Sequence, residues 1–222
     1  MDTDSLPLIE NLLFWDDGDI LPPAMHMARD EALFLSMESP VLRAYRWRSR
    51  AVTFGFSQRW ERVRGMLDGR PCARRWTGGG FVEHGGDLTL SLAVPSSHEL
   101  ARVPSKELYR LLHLAWLGVI ASDAASTGLA GPGPHRRDSR CFEEPVADDI
   151  LVNGEKIGGG ALRRTANGFL YQGSLRVKTE GAAFARALAS TTAPMRSRQV
   201  LLNIAHQRLA DRYGLEDWLT MR

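Results

Sequence analysis

One lysine, a neighbouring aspartate, a histidine and two glycine triplets are the residues here whose types and spacing could do chemistry. Two Asn-Gly pairs, Asn153-Gly154 and Asn167-Gly168, separate runs rich in strand-forming residues. Asn-Gly favours a two-residue hairpin loop, because both central residues must take positive φ. With Asn153-Gly154 as the loop, Val152 pairs with Glu155 and Leu151 with Lys156. Asp149 is then the diagonal neighbour of Lys156, roughly 7–8 Å away at Cα and closer at the side-chain tips. Gly158 and Gly160 continue the face of the lysine without side chains and leave a cleared floor beside it. Glycine inside a strand marks a close approach by a ligand or another backbone. The alternative is a surface hairpin with a solvated lysine, but each glycine there would lose roughly 0.5–1 kcal/mol relative to alanine.

The second triplet lies in "RRWTGGGFVEH", Arg74 to His84. It is neither a G-x-x-x-x-G-K-[ST] phosphate loop nor the G-x-G-x-x-G of a dinucleotide fold. It offers a row of backbone N–H groups beside Arg74 and Arg75, and both kinds of donor suit phosphate or carboxylate oxygens. A tight turn flanked by solvated arginines is the competing reading. His84 is a hydrogen-bond donor, a base, or a structural residue. No Ser-His-Asp or paired-carboxylate arrangement can be read with specificity, and metal-ligand spacing is absent.

The elements that must position these residues follow from periodicity. "PAMHMARDEALFLSM" (23–37) predicts a short amphipathic helix, with Ala28, Ala32 and Leu35 on one face and Arg29, Asp30 and Glu31 between them. "LRAYRWRSRAVTFGF" predicts a strand, a turn at Ser49-Arg50 and a second strand ending near Gly55. Leu88, Leu90, Leu92 and Val94 alternate with Thr89, Ser91 and Ala93, as in a half-buried strand stopped by Pro95. Ser105 caps a helix to about Ser122, with Leu108, Leu111, Leu112, Ala115 and Val119 on its core stripe. The two Asn-Gly pairs predict a three-strand meander from about Asp149 to Val177, and "VLLNIAHQRLADRYG" predicts a C-terminal helix. "TGLAGPGPHRRDSR" (127–140) has no periodicity and reads as a surface loop or a lid.

The 222 residues suit one α/β or α+β domain, with 44% hydrophobic and 24% charged residues. A net charge of +2 is too mild for a nucleic-acid binder. Two cysteines, Cys72 and Cys141, give no disulfide framework, and the acidic N-terminus lacks the pattern of a signal peptide. No apolar run approaches the roughly 20 residues that span a bilayer. The expectation is a cytoplasmic protein without a membrane partner.

Several ordered motifs resemble the lipoate–protein ligase A family, within the wider biotin/lipoate ligase catalytic fold. "MHMARDEAL" is similar to the family's first-helix pattern and "PVLRAYRWRSRAVTFGFSQ" to its R-x-Y-x-W…G-x-x-Q segment. "RRWTGGGFVEH" is similar to R-R-x-[ST]-G-G-G-x-V-x-H, "DDILVNGEKIGGGALRR" to N-D-[IL]…G-x-K-[IV]-x-G-x-A, and "FLYQGSL" to F-x-x-H-G-[ST]-L. The resemblance implies an α+β fold with a mixed, mainly antiparallel sheet flanked by helices, as one catalytic domain over 1–222 with no accessory domain. It also implies attachment of a lipoyl or octanoyl group to a lysine on lipoyl domains of 2-oxo-acid dehydrogenases or the glycine cleavage H protein. By resemblance, Arg75, Thr77, Gly78, Gly79, Gly80, His84, Asp149 and Gly158 line the acyl and adenylate pocket. Lys156 is the catalytic residue, aimed at a charge that develops mainly in the transition state.

Two chemistries fit that resemblance. A ligase activates lipoate or octanoate with ATP, and Mg²⁺ arrives with the nucleotide. A transferase moves an octanoyl thioester, as from acyl carrier protein, through a cysteine. "RCFEEPVADDILV" resembles the segment where cysteine-using octanoyltransferases keep their nucleophile, which maps to Cys141. Gly80 points to the ligase, and Cys141 with the missing accessory domain points to the transferase; the ligase, acting through an acyl adenylate, is the leading reading and the transferase the alternative. The chain departs from the family pattern at Gly85, Asp148 and Gln172. An extra carboxylate at Asp148 would repel a nucleotide phosphate, and a non-catalytic homologue that only binds lipoyl domains would also account for the three departures. The G-R-G-R-x-G-R-x-W loop of biotin–protein ligases is not found.

Overall fold

The alternation at Leu88–Val94 feeds a strand with helices on both of its faces. The computed structural model describes residues 7–47, 49–120, 126–132 and 145–221. In chain order the elements are β1 (Ile9–Asp17), α1 (Pro23–Ser36), β2 (Val41–Arg46), β3 (Ala51–Phe54) and the single turn α2 (Trp60–Val63). Next come β4 (Cys72–Arg74), β5 (Phe81–His84), β6 (Leu88–Pro95), α3 (Ser105–Ile120), β7 (Thr127–Leu129), β8 (Ile150–Val152) and β9 (Glu155–Thr165). The chain closes with β10 (Gly168–Leu175), α4 (Gly181–Leu188), β11 (Ala189–Pro194), α5 (Gln199–Arg208) and α6 (Glu216–Thr220).

Eight strands form one sheet in the order β11-β1-β2-β6-β10-β9-β8-β7, and β4-β3-β5 form a second. In the large sheet β1 runs parallel to β11 and β2, and the other pairs are antiparallel. The expected mixed, mainly antiparallel α+β architecture is therefore the one observed. One face buries Leu88, Leu90, Leu92 and Val94 against Leu108, Leu112 and Trp116 of α3 and Phe184 and Leu188 of α4. The other packs Val41, Tyr45, Ala93 and Leu170 against α1 and α5. β6 is thus buried on both faces, where alternation alone predicted one solvated side.

Three further expectations shift. Strands β2 and β3 exist but do not pair with each other, since β2 joins the large sheet and β3 the small one. Helix α1 has its predicted length, yet Arg29, Asp30 and Glu31 are buried while Leu35 is 45% exposed. These three charges are held by partners far away in sequence. Arg29 bonds Asp17, Asp30 accepts from Arg43 and Tyr45, and Glu31 accepts from Arg212 and Tyr213. In the meander, Asn153 and Gly154 take φ of 51° and 81° as predicted. Thr165 pairs with Gly168, however, so the second loop is Ala166-Asn167 and not Asn167-Gly168.

Candidate active site

The β8–β9 hairpin sets the register from which the site is built. Leu151 lies opposite Lys156 and Val152 opposite Glu155, as the Asn-Gly loop demands. Lys156 Nζ reaches Asp149 Oδ2 at 2.7 Å, with side chains 3% and 1% exposed. A buried ion pair persists only when its remaining polar atoms are also satisfied. Asp149 meets this condition. Its Oδ1 accepts from Tyr109 Oη at 2.7 Å and its Oδ2 from the Val146 N–H at 2.7 Å. Tyr109 in turn accepts the Gly160 N–H at 3.0 Å, so α3 ties the carboxylate to the glycine strand. Behind the pair, His113 bonds the Asp148 carbonyl at 2.6 Å and Tyr171 Oη at 2.6 Å. Burial pulls the His113 imidazole down to about 4, so it is neutral.

The floor beside the lysine differs from the expectation. Ile150 pairs with Gly158 and Leu151 with Lys156, so Ile157 is an extra residue on β9. This bulge reverses the inward and outward parity beyond it. A Cβ on Gly158 would meet Leu175 and Ile150 of the core at 2.3 and 3.4 Å, and one on Gly160 would meet the Tyr171 hydroxyl at 2.3 Å. Gly159 instead lies under the pair, where a Cβ would stand 2.6 Å from Asp149 Oδ1 and 3.2 Å from Lys156 Nζ. Gly158 therefore faces the apolar core, and Gly159 is the cleared position.

The other glycine triplet docks on the end of β3. Gly55 donates to Gly80 O at 3.3 Å and Phe56 to Thr77 O at 2.9 Å, while a Cβ on Gly55 would lie 2.1 Å from Gly79 O. Gly79 takes φ of 87°, a conformation that side chains rarely adopt. Arg75 donates to Gly78 O, Gly80 O and Thr53 Oγ1 at 2.8–3.0 Å. Arg74, fully buried, donates to carbonyls of Phe56, Gln58, Trp218, Leu219 and Met221. Neither guanidinium is the solvated fork that the sequence suggested. One shapes the loop and the other straps down the C-terminal segment.

Between the two triplets lies a narrow cavity, with Gly79 on one wall and Gly159, Gly160 and Ala161 on the other. Its remaining lining includes Met27, Tyr45, Trp47 and Val82, together with polar side chains that bond to protein partners. Thr53 and Asp87 hold the two His84 nitrogens at 2.7 and 2.8 Å, and Trp47 stacks on the ring at 4.1 Å. Thr89 accepts from Trp47 Nε1, Ser174 donates to Asp87, and Tyr45 donates to Asp30. Gln172 accepts from Thr77 at 2.6 Å and donates to Asp30 at 2.6 Å. Thr77 thus positions Gln172 from behind and does not line the cavity. With these bonds made internally, the wall behaves as an apolar surface despite its composition.

Of the residues that sequence reasoning named, Arg75, Gly79 and His84 line this cavity, Lys156 and Asp149 stand beside its Gly159 wall, and Gly78 and Gly80 do not line it. That reasoning missed Asp87, the carboxylate that serves His84 where the family pattern suggested position 85. Burial raises the Asp87 pKa, but the His84 partner and hydrogen bonds from Ser174 and Gly85 outweigh it and hold it below the usual range. It also missed Tyr109, for which no local signal exists. Cys141 and most of the 127–140 segment lie outside the described residues. No group of three or more His, Cys, Asp or Glu among the described residues is placed to hold a metal ion. No helix among them is long and apolar enough to cross a membrane.

A family model described as the lipoyl protein ligase A/B catalytic domain matches residues 22–208. The octanoyltransferase LipM of Staphylococcus aureus is 32% identical over 169 residues, covering 69% of this chain and 61% of the relative. The chain thus spans about three-fifths of the length of the curated relatives it matches. Among solved structures, a T. acidophilum lipoate protein ligase homologue with bound lipoic acid superposes with a TM-score of 0.74 at 20% identity, over 96% of this chain and 99% of that one. The archaeal bipartite lipoate protein ligase and E2 lipoyl domain system of Thermoplasma acidophilum gives a TM-score of 0.62 at 20% identity, over 97% and 98%.

Proposed function

Because the chain belongs to the lipoyl protein ligase A/B catalytic-domain family, we propose that it transfers an octanoyl or lipoyl group from a thioester donor to the acceptor lysine of a lipoyl domain. The observation that carries this reading is the cavity between the glycine walls, whose polar lining is bonded internally and whose Gly159 wall adjoins the Lys156–Asp149 pair. It suits an apolar acyl chain with its carbonyl at the lysine. The name octanoyltransferase on relatives such as the S. aureus protein supports the thioester donor.

In this mechanism the Cys141 thiolate attacks the donor carbonyl and the carrier sulfur leaves, taking up a proton. The acceptor ε-amine then attacks the enzyme thioester, an amide bond forms, and the departing Cys141 sulfur receives the amine's proton. Lys156 Nζ stabilises the oxyanion in both steps, in a site that excludes water. Asp149, fixed by Tyr109 and the Val146 N–H, holds the ammonium in place so that little reorganisation accompanies reaction. The acceptor is a lipoyl domain of a 2-oxo-acid dehydrogenase or the glycine cleavage H protein, and the donor an acyl carrier protein.

A second reading, ATP-dependent ligation of free lipoate or octanoate, rests on Gly80, which matches the ligase pattern and whose carbonyl accepts from Arg75. ATP with its Mg²⁺ would then activate the acid as an adenylate. Incubation of apo lipoyl domain with octanoyl carrier protein, or with lipoate and Mg-ATP, followed by intact-mass measurement, separates the two. Acylation from the carrier that Cys141→Ser abolishes supports the transferase. A mass gain only with ATP that survives Cys141→Ser supports the ligase, and binding without a gain identifies a non-catalytic homologue. Lys156→Ala is expected to remove nearly all acylation under either donor; retained wild-type rates would sink the role given to it.

A further inference from the structure

Apart from glycines, Asp68, Asp148 and Asn153 take positive φ among the described residues. Asn153 makes the β8–β9 hairpin loop, and Asp68 precedes Gly69 in an exposed turn. Asp148 takes φ of 68° directly before Asp149, the partner of Lys156. Left-handed backbone at a residue with a side chain is uncommon, and its surroundings must enforce it.

The enforcing contacts fall on the backbone of Asp148. Its N–H donates to Ala130 O at 2.8 Å, and its carbonyl accepts from His113 Nδ1 at 2.6 Å. A neutral His113 must carry its proton on Nδ1 to make that bond, which leaves Nε2 to accept from the Tyr171 hydroxyl. The turn itself is closed twice. Asp149 N–H donates to Val146 O at 3.1 Å, and Val146 N–H donates back to Asp149 Oδ2 at 2.7 Å. Positive φ at the third residue of a four-residue turn calls for glycine or asparagine, and aspartate shares that tolerance. The Asp148 carboxylate stands apart from the chemistry. It lies 4.0 Å from Arg110 Nε, on a side chain that is 47% exposed, and it is not among the residues lining the cavity. An ion pair so placed contributes little.

We propose that Asp148 is a positioning residue for Lys156, acting through its left-handed backbone and not through its charge. The inference rests on the acyl-transfer reading, which gives Lys156 its role. Rotation at residue 148 toward negative φ swings Asp149 out of the turn, breaks the bond from Val146 and draws the carboxylate away from Lys156 Nζ. The lysine then keeps its charge and loses its aim, a change felt in the transition state more than in binding. The departure from the asparagine of the family pattern follows from the same geometry. Aspartate and asparagine both enter the left-handed region, so the exchange alters a charge and leaves the turn intact.

Four substitutions separate conformation from charge. Asp148→Asn and Asp148→Gly remove the charge and keep the left-handed tolerance, Asp148→Glu keeps the charge and loses the tolerance, and Asp148→Ala loses both. In acylation of apo lipoyl domain followed by intact mass, kcat should stay within about threefold of wild type for Asn and Gly and fall about tenfold for Ala and Glu, as the fraction of molecules with the turn formed declines. Calorimetric affinity for a non-hydrolysable amide analogue of octanoyl-pantetheine should change by less than about threefold in all four, because the cavity is untouched. The Val146 amide proton gives a readout that does not depend on activity. Its charge-assisted bond to Asp149 should hold it downfield in the wild-type, Asn and Gly proteins and release it in the Ala and Glu proteins. Equal loss of kcat in the Asn and Ala variants, or wild-type kcat with an unmoved amide in the Ala variant, overturns the proposal. Should the Ala variant fail to fold, the other pair decides, and a Glu protein faster than the Asn protein overturns it. A wild type that acylates nothing from either donor removes the acyl-transfer reading, and the Val146 amide across the four variants then shows by itself whether Asp148 holds the turn.

Discussion

Gly159 and Gly158 are adjacent in sequence and opposite in consequence. A methyl on Gly159 would enter the Lys156–Asp149 pair, 2.6 Å from Asp149 Oδ1 and 3.0 Å from Lys156 Cε. A methyl on Gly158 would press on Leu175 in the core at 2.3 Å. Gly159→Ala is therefore expected to lower the acylation rate by about a hundredfold, as misplacing a catalytic group does, with a nearly unchanged melting temperature. Gly158→Ala should lose about 1–3 kcal/mol of stability through overpacking and retain more activity. Rates and melting curves of the two variants decide it, and the reverse pattern would show that the lysine lies on the other face. The ion pair itself was legible in the sequence, because an Asn-Gly loop fixes register over the next few residues. The switch from Gly158 to Gly159 was not. It depends on one bulged residue, Ile157, whose packing against the core is a tertiary fact.

At the scale of elements, the glycine loop is held by what it leans on. Gly55 has no room for a side chain, since Gly79 O and Gly78 O would lie 2.1 and 2.6 Å from its Cβ. Both obstacles are backbone and cannot rotate aside. Gly55→Ala is expected to lift the loop off β3, with a loss of at least about 2 kcal/mol in urea unfolding and weaker binding of the octanoyl-pantetheine analogue. A variant with the wild-type midpoint and affinity would refute this docking. Strand positions were readable from alternation, but partner choice was not. β2 and β3 are separated by four residues and still enter different sheets, because β6 and β1 bury β2 while β4 and β5 claim β3. Helix α1 shows the same limit. Its period was visible, yet the partners that make buried Arg29, Asp30 and Glu31 affordable lie on β1, on β2 and near the C-terminus.

Over the whole molecule, those buried charges join distant parts of the fold. Asp17 on β1 binds Arg29 of α1 and Arg43 of β2, and Arg43 binds Asp30, which accepts from Gln172 at the cavity wall. Burial alone would raise the Asp17 pKa, but Arg43 and Arg29 outweigh it and hold it below the usual range. His26 bonds Arg43 and stacks on Tyr45 at 4.2 Å, and burial together with the Arg43 charge lowers its pKa to about 3. His113 is lowered to about 4 by burial. Below the ordinary histidine pKa of 6.5 the unfolded chain binds protons at both positions, while the folded chain does not. Stability therefore falls as pH drops from about 6.5 toward 4, and the depressed Asp17 and Asp87 add to the loss only below the usual carboxylate range. Each histidine should remove about 2 kcal/mol between pH 7 and pH 5. Urea unfolding at a series of pH values measures this loss, and His113→Gln should remove about half of the slope. A flat profile from pH 7 to 5, or a slope untouched by that substitution, would mean that the imidazoles are charged within the fold. The same acid sensitivity should reach the cavity, because Gln172 takes its orientation from the Asp30 end of this network. Affinity for the octanoyl-pantetheine analogue should accordingly weaken over the pH range in which the protein loses stability.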